Sequence, residues 1–283
     1  MSLITTIIIP LRVGQRSEIL RLQNQINSLD DASRQLPAGV YTTFRTYQKR
    51  YAVSLLEHFD RLESSARLSG TAISLDHERL RQELRSALNY FEPTEARVRI
   101  SVDLTVNPGD VYLSLEELHT PTVDQYRDGV AVITRKMHRE NPEAKATNFI
   151  LEAEKVRHEI NPQEINEVLM ISEDDHVLEG LSSNFFGIQN EVLITAEEGI
   201  LPGITRKMAI EIARQLGYFV VYRNIQREEL PKLDEAFITS ASRAILPVTR
   251  INNRLVGTGK VGNTTRELQV AFQKNLDASL ELI

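Results

Sequence analysis

The chain has 283 residues, a formal net charge of -6 and no cysteine. Its length allows two domains with a substantial core, and its negative charge gives no electrostatic reason to expect nucleic acid or an anionic membrane as the main partner. No apolar run approaches the roughly 18 residues of a membrane span. Without cysteine there is no disulfide framework or thiolate metal site, which suits the cytoplasmic location that we expect.

The first part of the chain predicts a mixture of strands and helices. The apolar start "MSLITTIIIPLRVG" lacks a basic region and a cleavage site, so it predicts an opening strand, not a signal peptide. We expect a helix over residues 17–28 and then a hairpin over residues 40–55. Two amphipathic helices follow, the first ending at Gly70 and the second capped by Asp76. "RVRISVDLTV" and "DVYLSLEEL" predict antiparallel strands that complete a first domain, residues 1–119.

Residues 120–128 are the best linker candidate, and a larger domain over residues 129–283 is expected to follow. It begins with a strand over residues 130–135, the stretch around Lys145 and a helix ending near His158. Several strands, the helix "TRKMAIEIARQLG", a hairpin with Asn252 and Asn253 in its turn and a final helix complete it. Helices mixed with mostly antiparallel strands predict a two-domain α/β protein of the mixed α+β kind.

Three familiar motifs are not supported. "GTGKVG" matches the glycine pattern of dinucleotide-binding sites, but no second strand can follow it, so glycines closing a hairpin explain it better. The six histidines are scattered and do not form a zinc pattern, and no G-x-S-x-G nucleophile motif is present. We therefore expect neither a metal site nor a hydrolase triad.

Four stretches suggest a binding site, although each has a simpler explanation. Arg61, in "EHFDRL", could bind a phosphate or be a surface arginine paired with Asp60 or Glu57. "LPGITR" places the free N–H groups of Ile204 and Thr205 at a helix start, which is an anion site or a plain helix cap.

The other two stretches are "FITSASRAILPV" and "VLEGLSSNFFGI". In the first, a strand opens into Ser240, Ala241 and Ser242, which turn capping would explain equally well. In the second, Glu179 interrupts an apolar strand, where a carboxylate is costly to bury unless it is paired; a surface bend is the alternative.

Together with Lys145 in "NPEAKATNFI", these stretches suit pyridoxal 5'-phosphate. The phosphate of this cofactor needs groups that bind an anion. A lysine amine can bond covalently to its aldehyde, and a carboxylate can keep its ring nitrogen protonated. Alone, Lys145 would be interpreted as a solvated lysine.

The order of these motifs resembles the fold-type-IV pyridoxal-phosphate enzymes: branched-chain aminotransferases, D-amino-acid aminotransferases and aminodeoxychorismate lyases. "EHFDRLESSARL", "KATN", "LEGLSSNFFGI", "LPGITR" and "TSASRAILPV" are similar to the family's motifs, over a region from about residue 37 to the C-terminus. The resemblance implies that Lys145 bonds to the cofactor and that Glu179 pairs with its ring nitrogen. It assigns phosphate binding to Arg61, Ile204, Thr205, Ser240, Ala241 and Ser242.

The chain also departs from the family pattern. "PAGVYTTFR" has Thr42 where the family has glutamate, although it keeps Tyr41, which lines the substrate pocket in D-amino-acid relatives. Phe149 stands where many branched-chain enzymes have tyrosine, and Ala241 replaces a hydroxyl residue of the phosphate turn. Ala244 stands where glutamate is usual.

"ARVRIS" aligns with a segment that binds the substrate carboxylate in branched-chain relatives. Alternation along a strand places Arg97 and Arg99 on one face, where two guanidinium groups would suit an acidic substrate. Two solvated arginines on an edge strand are an equally good interpretation.

The resemblance implies the D-amino-acid-aminotransferase-like fold, a smaller N-terminal domain, a C-terminal domain with a barrel-like sheet, the cofactor between them, and a homodimer. It implies transamination between an amino acid and a 2-keto acid, with branched-chain substrates as one possibility. A lyase of the aminodeoxychorismate type is the alternative, because it would need the same lysine, glutamate and phosphate contacts.

Overall fold

The computed structural model describes residues 5–9, 18–19 and 26–283, with side chains described from residue 26 onward. The chain divides into two compact units. The first contains Met1–His119, Ala144–Glu154 and Ala278–Ile283, and the second contains Thr120–Glu143 and Lys155–Asp277. The segment with Lys145 therefore packs with the first unit, whereas the sequence prediction assigned it to the domain over residues 129–283.

The seven α-helices of the described residues are α1 Leu29–Arg34, α2 Leu55–Leu68, α3 His77–Tyr90, α4 Val123–Asp128, α5 Asn148–His158, α6 Ile204–Gln215 and α7 Asn263–Leu276. The strands are β1 Thr5–Ile9, β2 Glu18–Ile19, β3 Gly39–Tyr47, β4 Tyr51–Val53, β5 Ala96–Asp103, β6 Val111–Glu117, β7 Val130–Lys136, β8 Glu167–Ile171, β9 His176–Gly180, β10 Ser183–Gln189, β11 Val192–Thr195, β12 Val220–Tyr222, β13 Ile225–Gln226, β14 Glu235–Ser240, β15 Ala244–Ile251, β16 Arg254–Leu255 and β17 Leu280–Leu282. Short 3-10 helices cover Arg227–Lys232 and Asp277–Ser279.

The first unit contains a seven-stranded sheet in the order β17-β4-β3-β5-β6-β1-β2. Helices α2 and α3 bury their apolar faces in its core. In α2 those residues recur at helical spacing as Leu55, Phe59, Leu62 and Ala66, all fully buried. Strand β5 lies between β3 and β6, so it is an interior strand and not the edge strand that one interpretation of its arginines required.

The second unit contains a ten-stranded sheet that closes on itself. Strands β10, β14, β15, β7, β8 and β9 pair in that order, and β9 also pairs with β10. Aliphatic and aromatic side chains from several of these strands form one core cluster, with Phe185, Ile238 and Leu246 each at most 2% exposed. The ring of paired strands agrees with the barrel-like sheet expected for the C-terminal domain.

Several elements differ from the sequence prediction. The helix predicted over residues 17–28 is wrong at Glu18–Ile19, which form β2, and at residues 26–28, which are not helical; residues 17 and 20–25 of that prediction lie outside the described residues. The predicted linker contains the capped helix α4. The C-terminal β17, which pairs with β4, was not predicted. Among the described residues, no helix is long and apolar enough to cross a membrane.

Candidate active site

Lys145 is held in place by its backbone. Its N–H donates to Ser65 Oγ at 3.1 Å, and its carbonyl accepts from the N–H of Tyr41 at 2.8 Å. Two residues on, the N–H of Thr147 donates to the Gly39 carbonyl at 2.8 Å. These bonds attach the lysine segment to β3 and to α2 within the first unit. The backbone of the segment supplies all of these bonds, so the position of Lys145 in the fold is fixed by its main chain.

The ring of Tyr41 lies beside two cations. Lys145 Nζ is 4.8 Å from the ring centroid, and the guanidinium carbon of Arg99 is also 4.8 Å from it. Both distances are within the range of cation–π attraction. Tyr41 is 7% exposed, so these contacts form in a largely desolvated environment. Tyr41 is therefore a direct neighbour of Lys145.

The "EHFDRLESSARL" motif places Arg61 and Ser65 one turn apart on α2. Burial lowers the pKa of the half-buried Arg61 to about 10, while the charges of Glu57 and Tyr41 act in the opposite direction. Arg61 nevertheless stays cationic at neutral pH. It is not the exposed arginine of the simpler interpretation.

His58, on the same helix, pairs with Thr42, the residue that stands where the family has glutamate. Thr42 Oγ1 and His58 Nδ1 share a hydrogen bond of 2.6 Å, and both residues are buried. Burial, with help from the nearby charges of Arg61 and Lys145, holds the pKa of His58 well below 6.5. The imidazole is therefore uncharged at neutral pH, and this pair joins β3 to α2 without adding charge near Lys145.

In the second unit, Glu179 is surrounded by hydrogen-bond donors. Its carboxylate accepts from Arg139 Nε at 2.8 Å, Asn184 Nδ2 at 2.9 Å and the N–H of Leu201 at 3.2 Å. Glu179 is 2% exposed and Arg139 is 6% exposed. Burial of a carboxylate is costly unless it is paired, and these three donors favour its ionised form. Glu179 does not lie at a surface bend.

Local structure explains why these donors converge. Glu179 and Asn184 are directly opposite in the β9–β10 hairpin, so their side chains lie on one side of it. Asn184 Nδ2 also donates to the Leu201 carbonyl at 2.8 Å, which ties the hairpin to the loop before α6. Gly203 follows in that loop, and a Cβ there would collide with Asn184 Oδ1. This close approach explains the glycine of "LPGITR".

Ile204 and Thr205 begin α6. Gly203 is the N-cap residue and has no side chain with which to cap the helix. The first helical bond runs from the Lys207 N–H to the Gly203 carbonyl, so the preceding N–H groups have no acceptor within the helix. Arg206 points elsewhere, because its guanidinium donates to the Ala196 carbonyl at 2.8 Å. The helix start therefore offers backbone donors to an anion.

Ser240 ends β14, Ala241 and Ser242 begin the turn that leads to β15, and Arg243 anchors this turn. Arg243 Nε donates to Ser240 Oγ at 3.0 Å, and Arg243 Nη2 donates to Glu167 Oε2 at 2.7 Å. Glu167 is buried, and Gly180 lies so close that a Cβ there would strike its side chain. The Glu167–Arg243 pair thus fixes the turn against the β8–β9 region.

We expect Glu167→Gln to reduce the free energy of unfolding by about 3 kcal/mol, because it leaves Arg243 without its buried counter-charge. Burial opposes ionisation of Glu167, but Arg243, Arg157 and a hydrogen bond from Ser182 outweigh it and hold its pKa below the usual 4.5. A lowered carboxyl pKa stabilises the fold above the unfolded-state value and loses that effect as the pH falls. The measurement is urea unfolding of variant and wild type at several pH values.

The difference in unfolding free energy between wild type and Glu167→Gln should shrink on acidification below about pH 4.5. Glu228→Gln is the matched control, since Glu228 is exposed and the charge change is the same. Equal stabilities of Glu167→Gln and Glu228→Gln at pH 7 would contradict the role given to the pair.

Arg97 and Arg99 lie on one face of β5, as alternation predicted, but each already has a carboxylate partner. Arg97 Nη1 is 2.7 Å from Glu116 Oε1, and Arg99 Nη2 is 2.8 Å from Asp30 Oδ1. The Arg99 side chain is 4% exposed. Neither arginine is a solvated edge-strand residue.

The sequence-predicted residues thus fall into two groups. Lys145, Arg61, Tyr41, Arg97 and Arg99 belong to the first unit. The second unit contains Glu179, Ile204, Thr205, Ser240, Ala241 and Ser242.

Several contributing residues were missed, among them Asn184, Arg139, Asp30 and Arg243. Asn184 lies inside the quoted "LEGLSSNFFGI" motif, whose asparagine was therefore a usable signal. Arg139, Asp30 and Arg243 act through partners distant in sequence, and no local pattern identifies them.

Solved structures of known proteins share this fold. A branched-chain amino acid aminotransferase of Escherichia coli shares it with 25% identity and a TM-score of 0.74, over 93% of each chain. A branched-chain amino acid aminotransferase from T.th., solved with pyridoxamine 5'-phosphate, shares it with 22% identity and a TM-score of 0.78, over 97% of each chain. Architecture and site together define a pyridoxal-phosphate enzyme of fold type IV.

The sequence comparisons give the family. The profile of the amino-transferase class IV family matches residues 39–251. The probable branched-chain-amino-acid aminotransferase of Thermotoga maritima is 30% identical over 84% of this chain and 86% of its own length. The D-alanine aminotransferase of Bacillus licheniformis is 26% identical over 88% and 91%. This chain belongs to the class IV aminotransferase family, which confirms the resemblance found in the sequence.

Membership of this family makes the chain a pyridoxal-phosphate-dependent aminotransferase. The residues present fit the cofactor. Glu179 is a buried carboxylate paired with Arg139 and Asn184, and the start of α6 has backbone N–H groups without helical acceptors. Within residues 26–283, Thr239 Oγ1 is buried and has no hydrogen-bond partner, directly before the Ser240–Ser242 turn. A ring-nitrogen partner and phosphate donors are thus both available.

Proposed function

We propose that this aminotransferase moves the amino group of an apolar, branched-chain-like amino acid to a 2-keto acid, with Lys145 as its catalytic residue. Several relatives are named as branched-chain enzymes, such as the one from Pseudomonas aeruginosa, which is 24% identical over 83% of this chain. The single observation that best supports the assignment of the site is the carboxylate of Glu179. Three donors hold it in the buried, ionised state that a protonated ring nitrogen requires.

When bound, pyridoxal phosphate supplies an electron-accepting ring that stabilises negative charge at the substrate α-carbon. Glu179 would hold the proton of the ring nitrogen. Arg61 supplies a cation for the phosphate, and the N–H groups of Ile204 and Thr205 supply neutral donors. The remaining phosphate contacts would come from Ser240, Ala241 and Ser242, next to the Arg243 that anchors this part of the chain. Each role is a proposal drawn from the family motifs together with the local contacts.

Lys145 would first hold the cofactor covalently and then, as a free amine, move a proton from the substrate α-carbon. Its backbone bonds to Ser65 and Tyr41 fix the segment that carries this amine. Tyr41 lies against the amine and lines the substrate side of the site in this proposal. Phe149 brings no hydroxyl to the cofactor, so any such contact must come from another residue.

We further propose a homodimer in the cytoplasm. The dimer is the assembly that the family resemblance implies, and the absence of cysteine from all 283 residues suits a reducing compartment.

An amino-transfer assay tests the proposed function. The purified holoenzyme is mixed with leucine, isoleucine or valine, in both L and D forms, and with a 2-keto acid acceptor. We expect stoichiometric formation of the new amino acid and of the keto acid derived from the donor. A protein that binds the cofactor but transfers no amino group, and instead releases pyruvate from a chorismate-derived amine, would be a lyase and would contradict the proposal.

A further inference from the structure

The guanidinium of Arg243 joins two parts of the second unit that are far apart in the sequence. Its Nε donates to Ser240 Oγ at 3.0 Å, at the end of β14. Its Nη2 donates to the Ser182 carbonyl at 3.2 Å and to Ser182 Oγ at 2.9 Å, in the turn of the β9–β10 hairpin. The Arg243 side chain is 13% exposed. Because a guanidinium is planar and its donors have fixed directions, these bonds set the distance between the two parts.

Each of the two parts contains residues of the proposed cofactor site. Ser240 to Ser242, which we call the phosphate turn, are the residues to which the family motifs assign phosphate binding. Ser182 follows Glu179 by three residues, and the pairing of Glu179 with Asn184 lies in the same hairpin. The phosphate and the ring nitrogen of pyridoxal phosphate belong to one small molecule, so their separation varies little. The distance between the phosphate turn and the Glu179 hairpin must therefore match the cofactor closely.

The charge of Arg243 is paired within the fold. Its Nη2 also donates to Glu167 Oε2 at 2.7 Å, and the Glu167 side chain is 3% exposed. The hydroxyls of Ser182 and Ser183 donate to the same carboxylate oxygen at 2.9 and 3.0 Å. Arg243 thus acts through the groups that it holds, and not as a cation for the phosphate.

The shape of the phosphate turn depends on backbone contacts. The N–H of Arg243 donates to the Ser240 carbonyl at 3.2 Å, and the Tyr126 hydroxyl donates to the Arg243 carbonyl at 2.9 Å. A substitution of the Arg243 side chain keeps both bonds. The side chain therefore controls where the turn lies relative to the hairpin, and the backbone controls how the turn is folded.

We infer that Arg243 is a positioning residue, which sets the distance between the phosphate turn and the Glu179 hairpin and thereby strengthens the binding of pyridoxal phosphate through its phosphate group. This inference rests on the proposed function, because the phosphate contacts of the turn are taken from there. Residues that support a binding group from behind decide how well that group is placed.

The test compares the Kd values of the full-chain apoenzyme for pyridoxal 5'-phosphate and for pyridoxal, which lacks the phosphate. Arg243→Lys keeps a positive charge for Glu167, but an ammonium group on a flexible stem cannot hold Ser240 and Ser182 at a fixed separation. We expect Kd for pyridoxal phosphate to rise about tenfold, the effect of losing one charge-assisted hydrogen bond, and Kd for pyridoxal to stay within about twofold. Arg254→Lys, at an exposed arginine of the same unit, is the matched control and should change neither value.

Equal weakening of both ligands in Arg243→Lys would indicate a general structural loss and would overturn the inference, and so would two unchanged Kd values. If Arg243→Lys fails to fold, as judged by circular dichroism, Ser182→Ala decides. That variant removes one contact between Arg243 and the hairpin and keeps the pair with Glu167. It should raise Kd for pyridoxal phosphate about threefold and leave Kd for pyridoxal unchanged, and an unchanged ratio of the two constants would contradict the inference.

The two proposals can fail separately. A wild-type protein that binds no pyridoxal phosphate would contradict the proposed function. Tight binding by the wild type with the same Kd values in the variants would contradict only the role of Arg243.

Discussion

Lys145→Ala is expected to lose at least about a thousandfold in kcat, because no other group would bond the cofactor and move the substrate proton. The variant should still fold. The hydrogen bonds that fix this segment to Ser65 and Tyr41 come from the backbone of Lys145, and alanine keeps them. The substitution also removes the cation–π contact with Tyr41, which contributes about 0.5–1 kcal/mol.

The measurement is steady-state amino transfer by Lys145→Ala and by Lys155→Ala after incubation with pyridoxal phosphate. Lys155 is an exposed lysine of α5, ten residues farther along the chain, so it is a suitable control for the loss of one lysine. Lys155→Ala should behave as wild type. Residual activity of Lys145→Ala within about tenfold of wild type would contradict its catalytic role.

Glu179→Gln is expected to lower kcat by about a hundredfold or more, because a neutral amide cannot stabilise the protonated ring nitrogen. It should also cost about 1–3 kcal/mol in the free energy of unfolding. Glu179 accepts from Arg139 on one oxygen and from Asn184 and Leu201 on the other. Glutamine has only one acceptor atom, so its NH₂ group must face one of these donors.

We would measure kcat and urea unfolding for Glu179→Gln and for the control Glu197→Gln. The two measurements separate the effect on catalysis from the effect on stability. Glu197 is exposed in the same unit and undergoes the same charge change. A Glu179→Gln enzyme that unfolds more readily yet retains the wild-type kcat would show that the carboxylate is only structural. In that case the ring nitrogen would need another partner.

Local motifs predicted the parts of the site that depend on short spacings. Arg61 and Ser65 are four positions apart, which is about one helical turn, so the motif itself places them on one face. Glu179 and Asn184 likewise face one another because a hairpin of known register joins them. Apolar periodicity also depends only on residues close together in sequence, and it predicted most of the helices and strands.

Contacts between distant parts of the chain could not be predicted in this way. Arg139 and Glu179 are 40 residues apart, and Leu29 and Arg99 are 70 apart. Their pairing depends on how helices and strands pack, which one sequence does not reveal. The motif around Arg97 and Arg99 likewise shows two arginines but not the carboxylates of Asp30 and Glu116 that pair with them. The wrong helix prediction over residues 17–28 has a different cause. A short apolar run is compatible with a helix and with a strand, so its spacing does not distinguish the two.

The central claim is that Lys145 is the residue that binds pyridoxal phosphate covalently. Borohydride reduction of the wild-type holoenzyme, followed by protease digestion and peptide mass mapping, tests it most directly. We predict one cofactor adduct, on the peptide that contains Lys145, and its absence from Lys145→Ala treated in the same way. An adduct on another lysine, or no adduct from a protein saturated with cofactor, would contradict the claim.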